Sequence, residues 1–380
     1  MDSLVIDCGK IVLPNETLSA MRILIQGGLI ADIASHLDPP PDATIIDARD
    51  RIVMAGFIDI HVHGAVGADT MDASAESLTR MSRFFALHGV TGFLATTFTA
   101  ERAAIEKTLR FFETRADSKG AQILGVHLEG PYLNPKRCGA QAVEHMRAAN
   151  VDEYETWLDS GVVKLITVAP EIEGGITLVQ DAARRGIAVA LGHTDATFVQ
   201  AQRAFAIGAN QATHTFNQMR ELHHREPGTV GAVLVNDAVF AQIICDNVHV
   251  APAVIDALYR CKGADKMCVI TDAILATGLN DGDYALDGRH VSVSGGVARI
   301  DNGALAGSTA TMDQCFRNVI AATNCSLVEA SKMCSHAPAC SIGLGDNKGK
   351  LAKGFDADLV VLDENFGVVY TIVGGMPIVP

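Results

Sequence analysis

Eight short apolar runs, most of them separated by segments of helical pattern, constrain this chain more than any other feature of its sequence. The runs span residues 52–64, 90–99, 123–131, 163–171, 187–195, 209–217, 240–250 and 267–273. Between most of them lie stretches such as "SAESLTRMSRFFALHG", "AERAAIEKTLRFFETRA" and "ATFVQAQRAFAIG", several of which end on a glycine in the position of a helix C-cap. Some eight βα units over roughly 290 residues fit a closed (β/α)8 barrel of the α/β class better than an open doubly wound sheet. Residues 283–303, "DYALDGRHVSVSGGVARIDNG", break the repeat and are expected to form a β-hairpin inserted after the last strand.

The two ends of the chain have a different texture. Residues 1–52 read as short strands: "SLVIDCGKIVLP", "RILIQGGLIADIA" with its Gly-Gly turn, and "DATIIDA" after the break "DPPPD". The C-terminal "DADLVVLDENFGVVYTIVGG" returns to the same pattern, so residues 1–52 and 350–380 are expected to meet in one small β-domain flanking a barrel over 53–349.

At 380 residues and 48% hydrophobic content the chain can bury one large core and a smaller one. Its net charge of −14 repels phosphate backbones and anionic membranes, which disfavours a nucleic-acid or membrane-surface role and requires a local basic pocket for any anionic substrate. No run reaches the eighteen or so apolar residues needed to span a bilayer, and the N-terminus lacks a basic segment followed by a sustained apolar one, so a cytoplasmic location is expected. Nine cysteines form no Cys-x-x-Cys pair and are read as reduced, mostly buried thiols.

In such barrels the reactive groups sit at the C-terminal ends of the strands. His61 and His63 end the first run, Glu129 the third, His193 the fifth, His214 the sixth, His249 the seventh and Asp272 the eighth. In an extended chain His61 and His63 project to the same side, about 7 Å apart along the strand, and can converge on one ion. Each residue alone has a plain structural alternative: hydrogen-bonded histidines at a sheet edge, a turn histidine before the cap-like "TDAT", a satisfied core histidine, a capping aspartate. Their coincidence at the ends of successive strands favours a metal site. Imidazole and carboxylate donors without thiolate suit zinc, iron(II), cobalt or manganese, in one or two ions per subunit. A metal that acidifies water beside a carboxylate able to take its proton makes hydrolysis the natural reaction.

The segments "GFIDIHVHG", "HLEGPYLNPKRCGAQ", "LGHTDAT", "THTFNQMRELHHREPGTVGA", "CDNVHV", "ITDA" and "LAGSTATM" stand in the order and spacing of the N-acetylglucosamine-6-phosphate deacetylases, a family of the amidohydrolase superfamily that this chain resembles over nearly its whole length. The resemblance implies a (β/α)8 metal-dependent hydrolase barrel with a small β-sandwich domain, a homodimer, and cleavage of an acetamide on a phosphorylated amino sugar. It implies Glu129, His193 and His214 as ligands of the metal common to the family, and Asp272 as general base and then general acid. Because both histidines of the first pair are present, a second ion is expected on His61, His63 and Asp272, bridged by Glu129. The resemblance also points to Arg225 and His249 for the phosphate, with Arg225 reaching the neighbouring subunit's site and His224 assisting. Gln141, Asn217 and the backbone at Gln218 would line the sugar. Gln141 stands where the family often has histidine, Gln218 where alanine is usual, and Asn247 where glycine is frequent. These departures bear on sugar preference, leaving N-acetylgalactosamine 6-phosphate or another N-acyl compound as alternative substrates. A non-catalytic binding barrel is the remaining reading, opposed by the intact Asp272 and Glu129.

Overall fold

A computed structural model of the chain describes residues 3–114 and 119–378. Eight strands run in sequence order around one parallel sheet: β1 (Phe57–Val62), β2 (Val90–Thr96), β3 (Gln122–Glu129), β4 (Val163–Val168), β5 (Ala188–Leu191), β6 (Gln211–Ala212), β7 (Phe240–Ile244) and β8 (Met267–Ile270). Each is followed by a helix: α1 (Ala75–Leu87), α2 (Arg102–Glu113), α3 (Val151–Leu158), α4 (Gly175–Arg184), α5 (Phe198–Ala206), α6 (Gly228–Leu234), α7 (Pro252–Lys262) and α8 (Met312–Thr323). Residues 115 and 116, which the sequence pattern assigns to the second helix, lie outside the described residues, as do the outermost residues assigned to the β-domain at each end. Ser74 and Thr197 start α1 and α5 by accepting from backbone N–H groups that the helix cannot satisfy itself.

The barrel closes where β8 returns to β1. The Asp272 N–H donates to the His61 carbonyl (2.9 Å), and the buried Asp59 carboxylate accepts from the Thr271 hydroxyl. The ladder between β1 and β2 shifts register between Asp59 and Val62, an irregularity of the kind that re-aims side chains beside a site. At the opposite end, Ala337, Ala339 and Ile342 pack against Ile58, Ile60, Leu165 and Ile270 and plug the barrel interior. Chemistry is therefore left to the C-terminal mouth.

Strands from both chain ends hydrogen-bond into a single seven-stranded order, from Met376–Ile378 through Val368–Val373, Leu359–Leu362, Thr44–Ala55, Leu4–Val12 and Thr17–Gln26 to Leu29–Ala34. This sandwich-like unit folds around its own core of Ile6, Ile23, Ile30, Val53, Leu359 and Ile372. The strand at the seam runs three residues past the expected boundary at 52, since Ala55 still pairs with Leu359. The break falls at Gly56, where a Cβ would lie 2.1 Å from the Thr91 side chain and so only glycine fits. The expected hairpin near 283–303 is a three-stranded antiparallel sheet, Gly282–Leu286, Arg289–Ser294 and Val297–Ile300. Two tight turns produce it: Asp287-Gly288 and Gly295-Gly296 all have positive φ, as turns that match strand twist require.

Lys348 ties the sheet to the barrel. Its buried ammonium donates to Gln122 Oε1 (2.7 Å) and Asp358 Oδ2 (2.6 Å) and pairs with Asp356 Oδ2 (2.7 Å). Replacing Lys348 with methionine leaves the Asp358 carboxylate buried and uncompensated, so a loss of about 3–5 kcal/mol is expected. Urea unfolding of the variant beside wild type measures it, and an unchanged midpoint would remove this cluster from the fold's stability.

Candidate metal centre and active site

Three of the site residues reach the barrel axis by the same device. His193, His214 and Asp272 each sit two residues beyond the end of β5, β6 and β8, and each has positive φ (46°, 28° and 51°). Backbone of this kind costs about 1–3 kcal/mol per residue and is kept where the surroundings over-determine it, typically at functional sites. Glu129 is the last residue of β3, and His61 and His63 lie at the end of β1.

The six side chains converge, all of them buried. His193 Nε2 and His214 Nε2 each lie 3.2 Å from Glu129 Oε1, and 3.1 Å from one another. His63 Nε2 is 3.3 Å from Glu129 Oε2 and 3.2 Å from Asp272 Oδ1, and His61 Nε2 is 3.5 Å from Glu129 Oε1 and 3.4 Å from Asp272 Oδ1. Glu129 with His193 and His214, and Glu129 with His61 and His63, form two groups able to hold an ion.

The donor set fits a cation. His193 Nδ1 faces the Arg137 carbonyl (2.8 Å) and His214 Nδ1 the Asn217 carbonyl (3.2 Å), so both Nδ1 atoms carry hydrogen and both Nε2 atoms present lone pairs. Two such lone pairs and a carboxylate oxygen about 3 Å apart repel each other unless a positive charge lies between them. Neutral imidazoles and carboxylates also form the ligand class of zinc and its neighbours.

Electrostatics agree with a site built for positive charge. Burial would depress His63, but Asp272 and Glu129 outweigh it and push the ring up to about 10. Burial would likewise raise Glu129 and Asp272, yet His61 and its neighbours hold both carboxyls below their ordinary range, Glu129 far below. Asp59, behind the site, goes the other way: burial lifts it to about 6 despite its hydrogen bonds from Thr271 and the His61 N–H.

Above the cluster opens a cavity of about 150 Å³ lined by His63, Phe98, Glu129, Gln141, His193, His214, Asn217, Gln218, His249, Asp272, Leu305 and Gly307, among others. Gln141 is more tightly held than a purely sugar-facing residue: its Nε2 donates to Glu129 Oε2 (2.6 Å) and its Oε1 accepts from the Thr99 N–H (2.8 Å). Asn217 Nδ2 is a buried donor with no partner among the described residues. His249 is fixed by Asp246, whose Oδ2 lies 2.7 Å from its Nδ1. His224 and Arg225 do not line the cavity of their own chain. Both are exposed on the loop before α6, where Arg225 Nη1 meets His224 Nε2 at 2.7 Å.

Several contributors escaped the sequence reading. Gln242 faces His61 Nδ1 at 3.2 Å, and Phe98 stacks on the His63 ring with centroids 3.9 Å apart. Leu305 and Gly307 reach the cavity from the segment "LAGSTATM", a motif visible in the sequence without a role. Neither Gln242 nor Phe98 has a local signal, because each meets its partner only in the folded barrel, Phe98 from the end of the neighbouring strand and Gln242 from β7.

An eight-stranded barrel with two histidine–carboxylate groups at its C-terminal mouth is the architecture of a metal-dependent hydrolase. Residues 52–378 match the model of the amidohydrolase family, and the chain belongs to that family. It is 40% identical over 361 residues to the N-acetylglucosamine-6-phosphate deacetylase of Lysinibacillus sphaericus, covering 93% of this chain and 92% of that one. It is also 34% identical over 363 residues to the N-acetylgalactosamine-6-phosphate deacetylase of Escherichia coli O157:H7, covering 92% and 96%. Among solved structures, an aspartate-to-alanine variant of the Mycobacterium smegmatis N-acetyl-D-glucosamine-6-phosphate deacetylase, in complex with N-acetyl-D-glucosamine-6-phosphate, superposes with a TM-score of 0.93 at 32% identity and 100% coverage of both chains.

Proposed function

We propose that this metal-dependent amidohydrolase cleaves the acetamide of N-acetylglucosamine 6-phosphate to glucosamine 6-phosphate and acetate. The observation that carries the reading is the buried convergence of four imidazole Nε2 atoms on Glu129 and Asp272 at the floor of the cavity. Glu129, His193 and His214 would hold one divalent ion, and His61, His63 and Asp272, with Glu129 shared, a second; zinc, iron(II), cobalt and manganese all suit these donors. When bound, the metal supplies Lewis-acid polarisation of the amide carbonyl and acidifies water. Asp272, whose Oδ1 lies 3.4 and 3.2 Å from His61 and His63 Nε2, takes the proton of the attacking water and returns it to the departing nitrogen, since an amine leaves poorly unless protonated.

Asn217, Gln218 and Gln141 meet the sugar, and His249 the phosphate. Among the described residues the cavity of one chain has no lysine or arginine in its lining, which supports a homodimer in which Arg225, helped by His224, enters the neighbouring subunit's site; a cytoplasmic location is part of the same reading. A guanidinium fork matches phosphate oxygens in geometry. Arg225→Ala is then expected to raise KM by about 10–100-fold, the worth of a charge-assisted contact, with kcat little changed. An unchanged KM would take Arg225 out of the anion site.

The testing experiment follows amine release by metal-loaded protein from N-acetylglucosamine 6-phosphate, N-acetylgalactosamine 6-phosphate and unphosphorylated N-acetylglucosamine in parallel. Fast release from the first alone is expected. Preference for the second would transfer the reading to the epimer, and no release from any would overturn it.

A further inference from the structure

The Nδ1 atoms of His193 and His214 end on backbone carbonyls, which no side-chain substitution removes. His61 differs. Its Nδ1 lies 3.2 Å from the side-chain Oε1 of Gln242; Gln242 Nε2 donates to Gln211 Oε1 (2.9 Å), and Gln211 Nε2 donates to the Ser341 carbonyl (3.2 Å). His61, Gln242 and Gln211 are all 0% exposed. No bulk water competes for any link.

The direction of this chain of hydrogen bonds is decided at its far end. A carbonyl oxygen only accepts, so Gln211 must present its NH2 to Ser341 and its Oε1 to Gln242. Gln242 must then offer its own NH2 to Gln211 and turn its Oε1 towards His61. Both amide orientations follow, and the imidazole meets an acceptor.

We infer that Gln242 and Gln211 are positioning residues that hold His61 in the tautomer with hydrogen on Nδ1, its Nε2 lone pair facing Glu129 and Asp272. The opposite tautomer would set a lone pair against Gln242 Oε1 and point a hydrogen at the metal group. Ser341 ends the short helix Ala337–Ser341 beside the interior plug, so the relay anchors a ligand at the barrel mouth to the closed end of the barrel. The inference rests on the reading of His61 as a ligand of the second ion. Partners of this kind commonly change metal affinity by about 10–100-fold when lost.

The test titrates zinc(II) into wild type, Gln242→Met, Gln242→Glu and His61→Ala and resolves the first and second equivalents. Gln242→Met keeps the volume but removes the acceptor, and is expected to weaken the second equivalent by about 10–100-fold without changing the first. Gln242→Glu, buried and protonated on the oxygen that faces Gln211 Oε1, keeps both the acceptor at Nδ1 and the donor to Gln211 and is expected to stay close to wild type. Wild-type affinity in Gln242→Met, or equal loss in both variants, would overturn the relay. A second equivalent undisturbed in His61→Ala would instead sink the ligand reading itself. Should Gln242→Met fail to fold, nitrogen NMR of histidine-labelled, zinc-loaded wild type decides the matter: a hydrogen on His61 Nδ1 supports the relay, and a hydrogen on Nε2 overturns it.

Discussion

Asp272→Asn is expected to lower kcat by about 10²–10⁴-fold while the ion on Glu129, His193 and His214 stays bound. The amide keeps the size of the carboxylate and its place at the end of β8, where the backbone N–H is tied to the His61 carbonyl and the carbonyl accepts from Ser308 N (2.7 Å). Two things are lost: the capacity to take up and hand on a proton, and the negative charge that the carboxylate offers the second ion beside His61 and His63. The two settings of the proton require a group that is ionised at rest, and His61 and His63 keep this carboxyl below its ordinary range against the pull of burial. Metal content and kcat measured on the same preparation separate the two roles. Near-normal turnover with metal retained would remove Asp272 from proton transfer.

Glu129→Gln is expected to act on metal content first and on rate as a consequence. Glu129 belongs to both groups able to hold an ion, and its oxygens face all four histidines within 3.5 Å. Losing its charge removes the counter-charge that both ions share. For a buried charged group the cost is about 3–5 kcal/mol, or about 10²–10³-fold or more in affinity. Gln141, which donates to Glu129 Oε2, would face either an oxygen or an amide nitrogen at that position, so the substitution also disturbs the cavity wall. Metal analysis after dialysis, with activity restored or not by excess zinc(II), reads the effect. Full metal retention would contradict Glu129 as the shared ligand.

Much of the architecture was legible from local pattern. The eight runs became eight parallel strands in sequence order, because a strand buried among helices must be apolar along its length and the helices that return the chain must be amphipathic. Two details lie beyond local pattern: the strand expected to end near 52 pairs on to Ala55 before Gly56, and a second positive-φ turn at Gly295-Gly296 adds a third strand to the expected hairpin. The candidate ligands were legible for a similar reason. His61, His63, Glu129, His193, His214 and Asp272 end apolar runs, and a barrel gathers strand ends at one mouth.

By itself, then, the order of residues determined the class of fold and the donors available to a metal. Tertiary structure alone decided how those donors face one another. The left-handed backbone at His193, His214 and Asp272 turns three side chains inward, and its cost is met by packing that no single segment contains. Gln242 and Gln211 acquire their role only when β6 and β7 bring them between His61 and Ser341, while Arg225 and His224 leave the cavity of their own chain altogether. Periodicity records which face of an element is buried. Hydrogen-bond polarity and charge compensation depend on groups that are distant in sequence and adjacent only once the barrel has closed.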